Sequence, residues 1–133
     1  MKLSSKSEYA ILALLFSSRN YSDEYISAEI IASEQKIPLR FLEQILNILK
    51  HSRYVSSLKG QKGGYRLAKP PSKITLAEIV RLIDGALAPT LSVSQYFYGH
   101  TPIEKEEKVI SIFRKIRDFA SDLLEKSTLQ DLI

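Results

Sequence analysis

The sequence predicts a mainly α-helical fold carrying one small β-hairpin, followed by a long C-terminal helix. Three observations predict it. Two short helical segments are separated only by residues 34–37; Gly60-Gln61-Lys62-Gly63-Gly64 lies between two alternating, strand-like segments; and Val109, Ile112, Ile116, Phe119 and Leu123 repeat at helical spacing in the last third. A length of 133 residues suits one domain. The absence of cysteine excludes a disulfide-stapled module and any thiolate-held zinc or iron–sulfur site from this chain. The longest apolar run, Tyr9 to Phe16, is far short of the roughly 20 residues of a membrane helix, so a cytoplasmic protein without membrane association is expected.

The first helix is announced by Ser5-Lys6-Ser7-Glu8, a candidate capping box, and continues as an apolar run suited to a core. Ser27 is placed to cap a short second helix, with Glu29 in its first turn and Ile30 and Ile31 facing inward. The third helix opens at Pro38 and runs to about His51. So tight a junction between two helices points to helix-turn-helix.

The third helix has two distinct faces. Leu42, Ile45, Leu46 and Leu49 form a buried stripe, and Arg40, Glu43, Gln44, Asn47 and Lys50 or His51 line the other side. Guanidinium, carboxamide and carboxylate groups can read base edges in a major groove, although the same residues would equally decorate a solvated surface. The third helix alone does not choose between them, and a charge run alone suits a solvated surface equally; the hairpin that follows decides. Residues 36–70 hold eight basic residues against Glu43 alone, within a chain whose net charge is only +4. Such a concentration is the footprint of a polyanion-binding face.

Two strands are expected around Tyr54–Lys59 and Tyr65–Lys69, joined by the glycine tip. Lys59, Gly60 and Lys62 make that tip slim and cationic, suited to a narrow minor groove. A nucleotide-phosphate loop is the competing idea, but the GxxxxGK[ST] spacing is missing and a strand follows instead of a helix. Thr75-x-x-Glu78 is a second capping box, opening a helix with Leu76, Ile79, Val80 and Ile83 inward and Gly85 as its stop. These parts assemble as a winged helix-turn-helix domain over residues 1–85.

Residues 86–101 then form a linker and a candidate effector region. It contains Tyr96-Phe97-Tyr98, expected to cover core surface, and His100, expected to be hydrated. Neither His51 nor His100 has a carboxylate partner at motif spacing, so no metal site is expected. Residues 102–133 are expected to hold one helix from Pro102 to about Lys126, followed by a tail. Its apolar seam of Val109, Ile112, Ile116, Phe119 and Leu123, flanked by Phe113, suits a two-fold homodimer; packing onto the chain's own first half would use part of it.

The order of these parts resembles the bacterial winged-helix transcription regulators of the Rrf2 family. The matching segments are Met1-Lys2-Leu3-Ser4-Ser5-Lys6 with Tyr9-Ala10, Phe41-Leu42-Glu43-Gln44-Ile45-Leu46, Gly60 to Ala68, Ile74 to Ile79 and Thr128 to Leu132. The resemblance implies a dimeric regulator of double-stranded DNA, with the third helix in the major groove and the wing in the minor groove. It implies DNA contacts at Arg40, Glu43 and Gln44, at Lys59, Gly60 and Lys62 on the wing, and at Lys6 and Tyr9 beside the phosphates. Pro38 stands where the family often carries serine, which leaves the operator sequence open. Many relatives hold an iron–sulfur cluster through three linker cysteines. Here Thr90 to His100 contains none, so no cofactor is expected, and a small-molecule or protein effector takes its place.

A non-catalytic repressor is the expectation that follows. A protein-interaction adaptor using the same basic face is the alternative, distinguished by salt-insensitive DNA retention. No nucleophile, base and oxyanion donors assemble in the chain, so it is not expected to be an enzyme.

Overall fold

The structure is a computed structural model describing residues 1–133. Five α-helices and one hairpin follow in the order α1 (Ser5–Arg19), α2 (Ala28–Gln35), α3 (Leu39–His51), β1 (Val55–Leu58), β2 (Gly64–Leu67), α4 (Leu76–Asp84) and α5 (Glu107–Lys126). Short 3-10 turns lie at Pro71–Lys73, Leu91–Val93, Pro102–Lys105 and Gln130–Leu132. The expected mainly α fold with one antiparallel hairpin is the fold observed. No helix is long and apolar enough to cross a membrane.

Helix α1 is central because its small and large apolar residues serve two neighbouring clusters. Ala10 and Leu14 pack with Ile45 and Leu49 of α3, Val55 and Leu67 of the hairpin, Ile74, Ile79 of α4 and Leu129. Ala13 packs with Ala28, Ile31 and Ala32 of α2, Ile37, and Leu42 and Leu46 of α3. The four stripe residues of α3 are all at most 1% exposed, each contributing about 2 kcal/mol of apolar burial. They fix which side of α3 faces outward.

The C-terminal tail returns to this core. The Leu129 amide donates to Ile74 O at 2.9 Å and the Leu76 amide donates to Ser127 O at 2.9 Å. Residues Thr128 to Leu132, which resemble a family signature, thus close the first domain from the far end of the chain.

Several expectations require correction. The N-cap of α1 is Ser4, one residue earlier than expected; its hydroxyl accepts from the Ser7 amide at 3.1 Å. Ile30 does not face inward: it is 51% exposed, whereas Ile31 is buried. Adjacent helical residues point about 100° apart, and a helix of two turns has one buried stripe, here Ala28, Ile31 and Ala32.

The expected helix from Pro102 is interrupted. Pro102–Lys105 forms one 3-10 turn, Glu106 leaves helical geometry at φ −96° and ψ 86°, and α5 starts afresh at Glu107. Its 20 residues span about 30 Å. Phe113 is half-buried against Ala88, Val93 and Ile110, on the inner face of α5 and not in the outer seam. Val109, Ile112, Ile116, Phe119 and Leu123 remain 39–74% exposed as one apolar stripe.

Tyr96, Phe97 and Tyr98 do not cover core surface, being 45–64% exposed. His100 does have a carboxylate partner, Glu104 Oε1 at 2.9 Å, four residues on. Irregular backbone between 94 and 101 hides both facts from periodicity.

Candidate nucleic-acid interface

The turn between α2 and α3 sets the presentation of α3. Lys36 takes a left-handed conformation at φ 54°, and the Ile37 amide donates to Ala32 O at 2.9 Å. Ile37 is buried at the turn, and Pro38 is the N-cap that precedes α3, at φ −56° and ψ 125°, and not its first helical residue as expected. With Leu42 and Ile45 directed inward, Arg40, Glu43, Gln44 and Asn47 are all exposed. They line one shallow groove together with Ala28 and Tyr65 of the hairpin. Arg40 and Glu43 do not pair with each other or with any other charged group.

The wing is anchored at its base and bare at its tip. Val55 pairs with Leu67 and Leu58 with Gly64, and the Tyr65 amide and carbonyl exchange hydrogen bonds of 2.8 and 2.9 Å with Ile26. Gly64, at φ 143°, lies so close to Ile26 that a Cβ would fall 2.2 Å from its carbonyl oxygen. Gly60, at φ 110°, has open space around it. Lys59, Gly60 and Lys62 are exposed, and neither lysine is in an ion pair.

Two cations of the basic segment serve the scaffold instead. Arg66 lies over the Tyr25 ring at 4.4 Å and donates to Asp23 O; Lys69 lies over Tyr54 at 4.5 Å. Burial and the neighbouring Glu78 carboxylate push the Tyr54 phenol up to about 12. Lys36, Arg40, Lys50, Arg53, Lys59 and Lys62 are left without carboxylate partners.

Lys6 and Tyr9 lie across a cleft of about 270 Å³ from Phe41 and Ile45, next to the start of α3. The structure therefore brings α1 and α3 together at this edge. Sequence reasoning did not assign Phe41 or Tyr65 to the site. Phe41 is 51% exposed, and its sequence signal is a large aromatic outside the stripe formed by Leu42, Ile45, Leu46 and Leu49. Tyr65 carries no such signal, because only the hairpin register turns it toward α3.

The linker offers hydroxyl and imidazole groups. Thr90, Ser92 and Thr101 hydrogen-bond among themselves, the shortest contact being 2.6 Å between Ser92 Oγ and Thr101 Oγ1. The His100 contact holds the Glu104 carboxyl below its ordinary range. Arg81 lies over Tyr96 at 4.8 Å and bonds to Ser121 and Glu125, tying α4 to both the linker and α5.

Comparison with known proteins gives a consistent result. The profile of the Rrf2 family, described as iron-dependent transcriptional regulators, matches residues 3–133. A Mycobacterium tuberculosis protein named as an HTH-type transcriptional regulator is 35% identical, over 99% of this chain and 81% of that one. CymR of Bacillus subtilis, described as a global cysteine regulator, superposes with a TM-score of 0.86 at 26% identity, covering 99% of this chain and 95% of that one. T. potens IscR shares the fold, with a TM-score of 0.77 at 24% identity and coverage of 99% of this chain and 85% of that chain.

The residues present do not fit the iron in that description. The chain has no thiolate, and no group of three His, Cys, Asp or Glu side chains converges anywhere in it. The hydroxyls of Thr90, Ser92 and Thr101 in the linker are hard, neutral donors already bonded to one another. A match across nearly the whole chain, with the same helices and hairpin in the same arrangement, shows that the chain belongs to the Rrf2 family of transcriptional regulators, proteins that regulate and do not catalyse.

Proposed function

We propose that the protein is a homodimeric, sequence-specific DNA-binding repressor whose two α3 helices enter neighbouring major grooves while the wings enter the flanking minor grooves. The observation that carries this reading is the joint surface of α3 and the hairpin, which presents Arg40, Lys50, Arg53, Lys59 and Lys62 with no internal carboxylate partner. Cations left unpaired on one surface favour a polyanion, because each phosphate they meet releases condensed counterions. Arg40, Glu43, Gln44 and Asn47 add donors and acceptors able to distinguish base pairs.

The exposed stripe of α5 supports the dimer. A contiguous apolar row on a helix of this length is best covered by its own symmetry mate, and the dyad would set α3 from the two protomers about 34 Å apart or a multiple of it. With no fit for iron, the effector is a small molecule or a partner protein, received by the linker. Residues 94–101 support this role through exposed aromatics beside the α4–α5 junction.

The test is selection of bound fragments from genomic DNA, followed by titration of the selected duplex between about 50 and 200 mM salt. A steep log-log decline and a strong preference over random duplex are expected. A flat salt response combined with tight retention by an acidic polypeptide would overturn the reading in favour of an adaptor.

A further inference from the structure

His100 lies in the linker, apart from the residues proposed to meet DNA, and three side-chain donors converge at its ring. Its Nδ1 is 2.9 Å from Glu104 Oε1, and the Tyr98 hydroxyl is 3.3 Å from that nitrogen and 3.3 Å from Glu104 Oε2. No metal site is expected from sequence because neither histidine shows a carboxylate at motif spacing. Folding of the linker supplies one to His100, and Tyr98 completes a set that His, Cys, Asp and Glu alone do not make.

We propose that His100, Glu104 and Tyr98 form a mononuclear site for a divalent cation of the Zn²⁺ type. His100 Nδ1 and Glu104 Oε1 are its principal ligands, the Tyr98 oxygen is the third, and water fills the remaining position. The site uses no sulfur, and the inference stands apart from the DNA-binding reading.

Spacing supports a shared ion. Zinc bonds of about 2.0–2.2 Å, at angles between octahedral and tetrahedral, set neighbouring donors about 2.9–3.5 Å apart, and all three contacts fall in that range. An imidazole nitrogen disfavours Ca²⁺ and Mg²⁺, whereas one nitrogen with two oxygens and an open position suits Zn²⁺. On binding, the Nδ1 proton passes to Nε2 of the exposed ring, and the freed lone pair takes the ion.

Backbone contacts preset the ligands. Glu104 closes the Thr101 capping box, its Oε2 accepting from the Thr101 amide at 3.4 Å, which orients Oε1 toward the ring. The Gly99 amide donates to Leu91 O at 3.1 Å and anchors the chain between Tyr98 and His100. Partial desolvation and the neighbouring Glu104 carboxylate hold the Tyr98 phenol above its ordinary range, so it joins as a neutral, weaker donor. No lysine or arginine pairs with Glu104, and the exposed hydrogen bonds that binding displaces contribute little.

The experiment titrates Zn²⁺ alone into the untagged full chain, first freed of metal by a chelator, and follows heat together with amide and imidazole NMR shifts. One ion per protomer is expected, with shifts centred on residues 98–104, and excess Zn²⁺ should raise the thermal midpoint. His100→Ala and Glu104→Gln should abolish saturable binding, and Tyr98→Phe should weaken it by about tenfold. Glu104→Gln keeps a side chain able to close the capping box, so its loss reports ligation and not folding. Absence of saturable binding overturns the site. So does binding that survives His100→Ala, that an equal concentration of Mg²⁺ displaces, or that shifts His51 in place of His100. Every readout is made without DNA, so failure here leaves the DNA-binding reading standing.

Discussion

Asp84, the last residue of α4, accepts a hydrogen bond from the Ser4 amide at 3.0 Å and a second from the Ser4 hydroxyl, 80 residues earlier in the chain. A carboxylate at the end of its own helix opposes that helix dipole, but here it faces the N-terminal end of α1, where negative charge is favoured. Burial alone would raise its pKa. The Ser4 side-chain and backbone hydrogen bonds outweigh burial, the nearby Ser7 hydroxyl adds a smaller share, and the carboxyl ends below its ordinary value of 3.8.

Asp84→Ala should therefore lower stability near neutral pH and free the end of α1 that carries Lys6. Because the folded pKa is depressed, the contribution is complete above the unfolded carboxylate range and disappears as pH falls through the folded pKa. The gap between the urea midpoints of wild type and variant should narrow on acidification from pH 5 toward pH 2. A gap that stays constant over that interval would assign the loss to packing instead of charge.

Gly64 and Gly60 both have positive φ but differ in surroundings. At Gly64 a methyl group would collide with the Ile26 backbone, whereas at Gly60 it would meet nothing. Gly64→Ala should break the tie between the wing and the start of α2 and cost at least about 2 kcal/mol; Gly60→Ala should cost about 1 kcal/mol from conformation alone. Thermal unfolding of the two variants gives the order directly. Equal losses would mean that the close approach at Ile26 relaxes freely.

Legibility of the fold varied with the length over which local rules apply. The 3,4 spacing of Leu42, Ile45, Leu46 and Leu49 identified both faces of α3, because a long amphipathic helix repeats its signal. The Thr75–Glu78 capping box was equally readable, being wholly local. The outward side chain of Ile30 is not legible, because two turns contain too few residues to distinguish adjacent phases. Nor does spacing separate Phe113 from the outer seam of α5, since Phe113 and Ile116 also satisfy helical spacing. Only the linker residues Ala88 and Val93 show which side is inward. On the candidate site, the exposure of Arg40, Glu43 and Gln44 follows from the pattern of α3, but the nearness of Lys50, Arg53 and Lys59 to one another depends on how the hairpin stem lies against α3, which no spacing rule contains.

The two faces of α5 allow dimerisation to be separated from folding. Phe119, 74% exposed, belongs to the stripe proposed to pair across the dyad, whereas Phe113 packs inside its own chain. Phe119→Glu should give a folded monomer by sedimentation, with the thermal midpoint compared at matched protomer concentration. Phe113→Ala should cost about 3 kcal/mol, within the range for partly relaxed aromatic truncations, and leave the apolar stripe intact. An unchanged sedimentation coefficient for Phe119→Glu, with wild type already monomeric, would rule out the proposed dimer.

Arg40 and Lys62 should report different kinds of DNA contact. Arg40 lies among the acceptors and donors of α3, so Arg40→Ala should cost about 1 to 3 kcal/mol on the selected operator and relax preference at one base pair. Lys62 is on the bare wing tip with no base-reading partner beside it on α3. Lys62→Ala should weaken operator and random duplex alike and make the salt slope shallower by about 1 per protomer. Binding to a panel of single-base operator variants at two salt concentrations distinguishes them. If Arg40→Ala weakened all sequences uniformly while Lys62→Ala altered preference, the roles of helix and wing would be reversed. Unchanged affinity in both, measured at low salt, would place the DNA elsewhere on the protein.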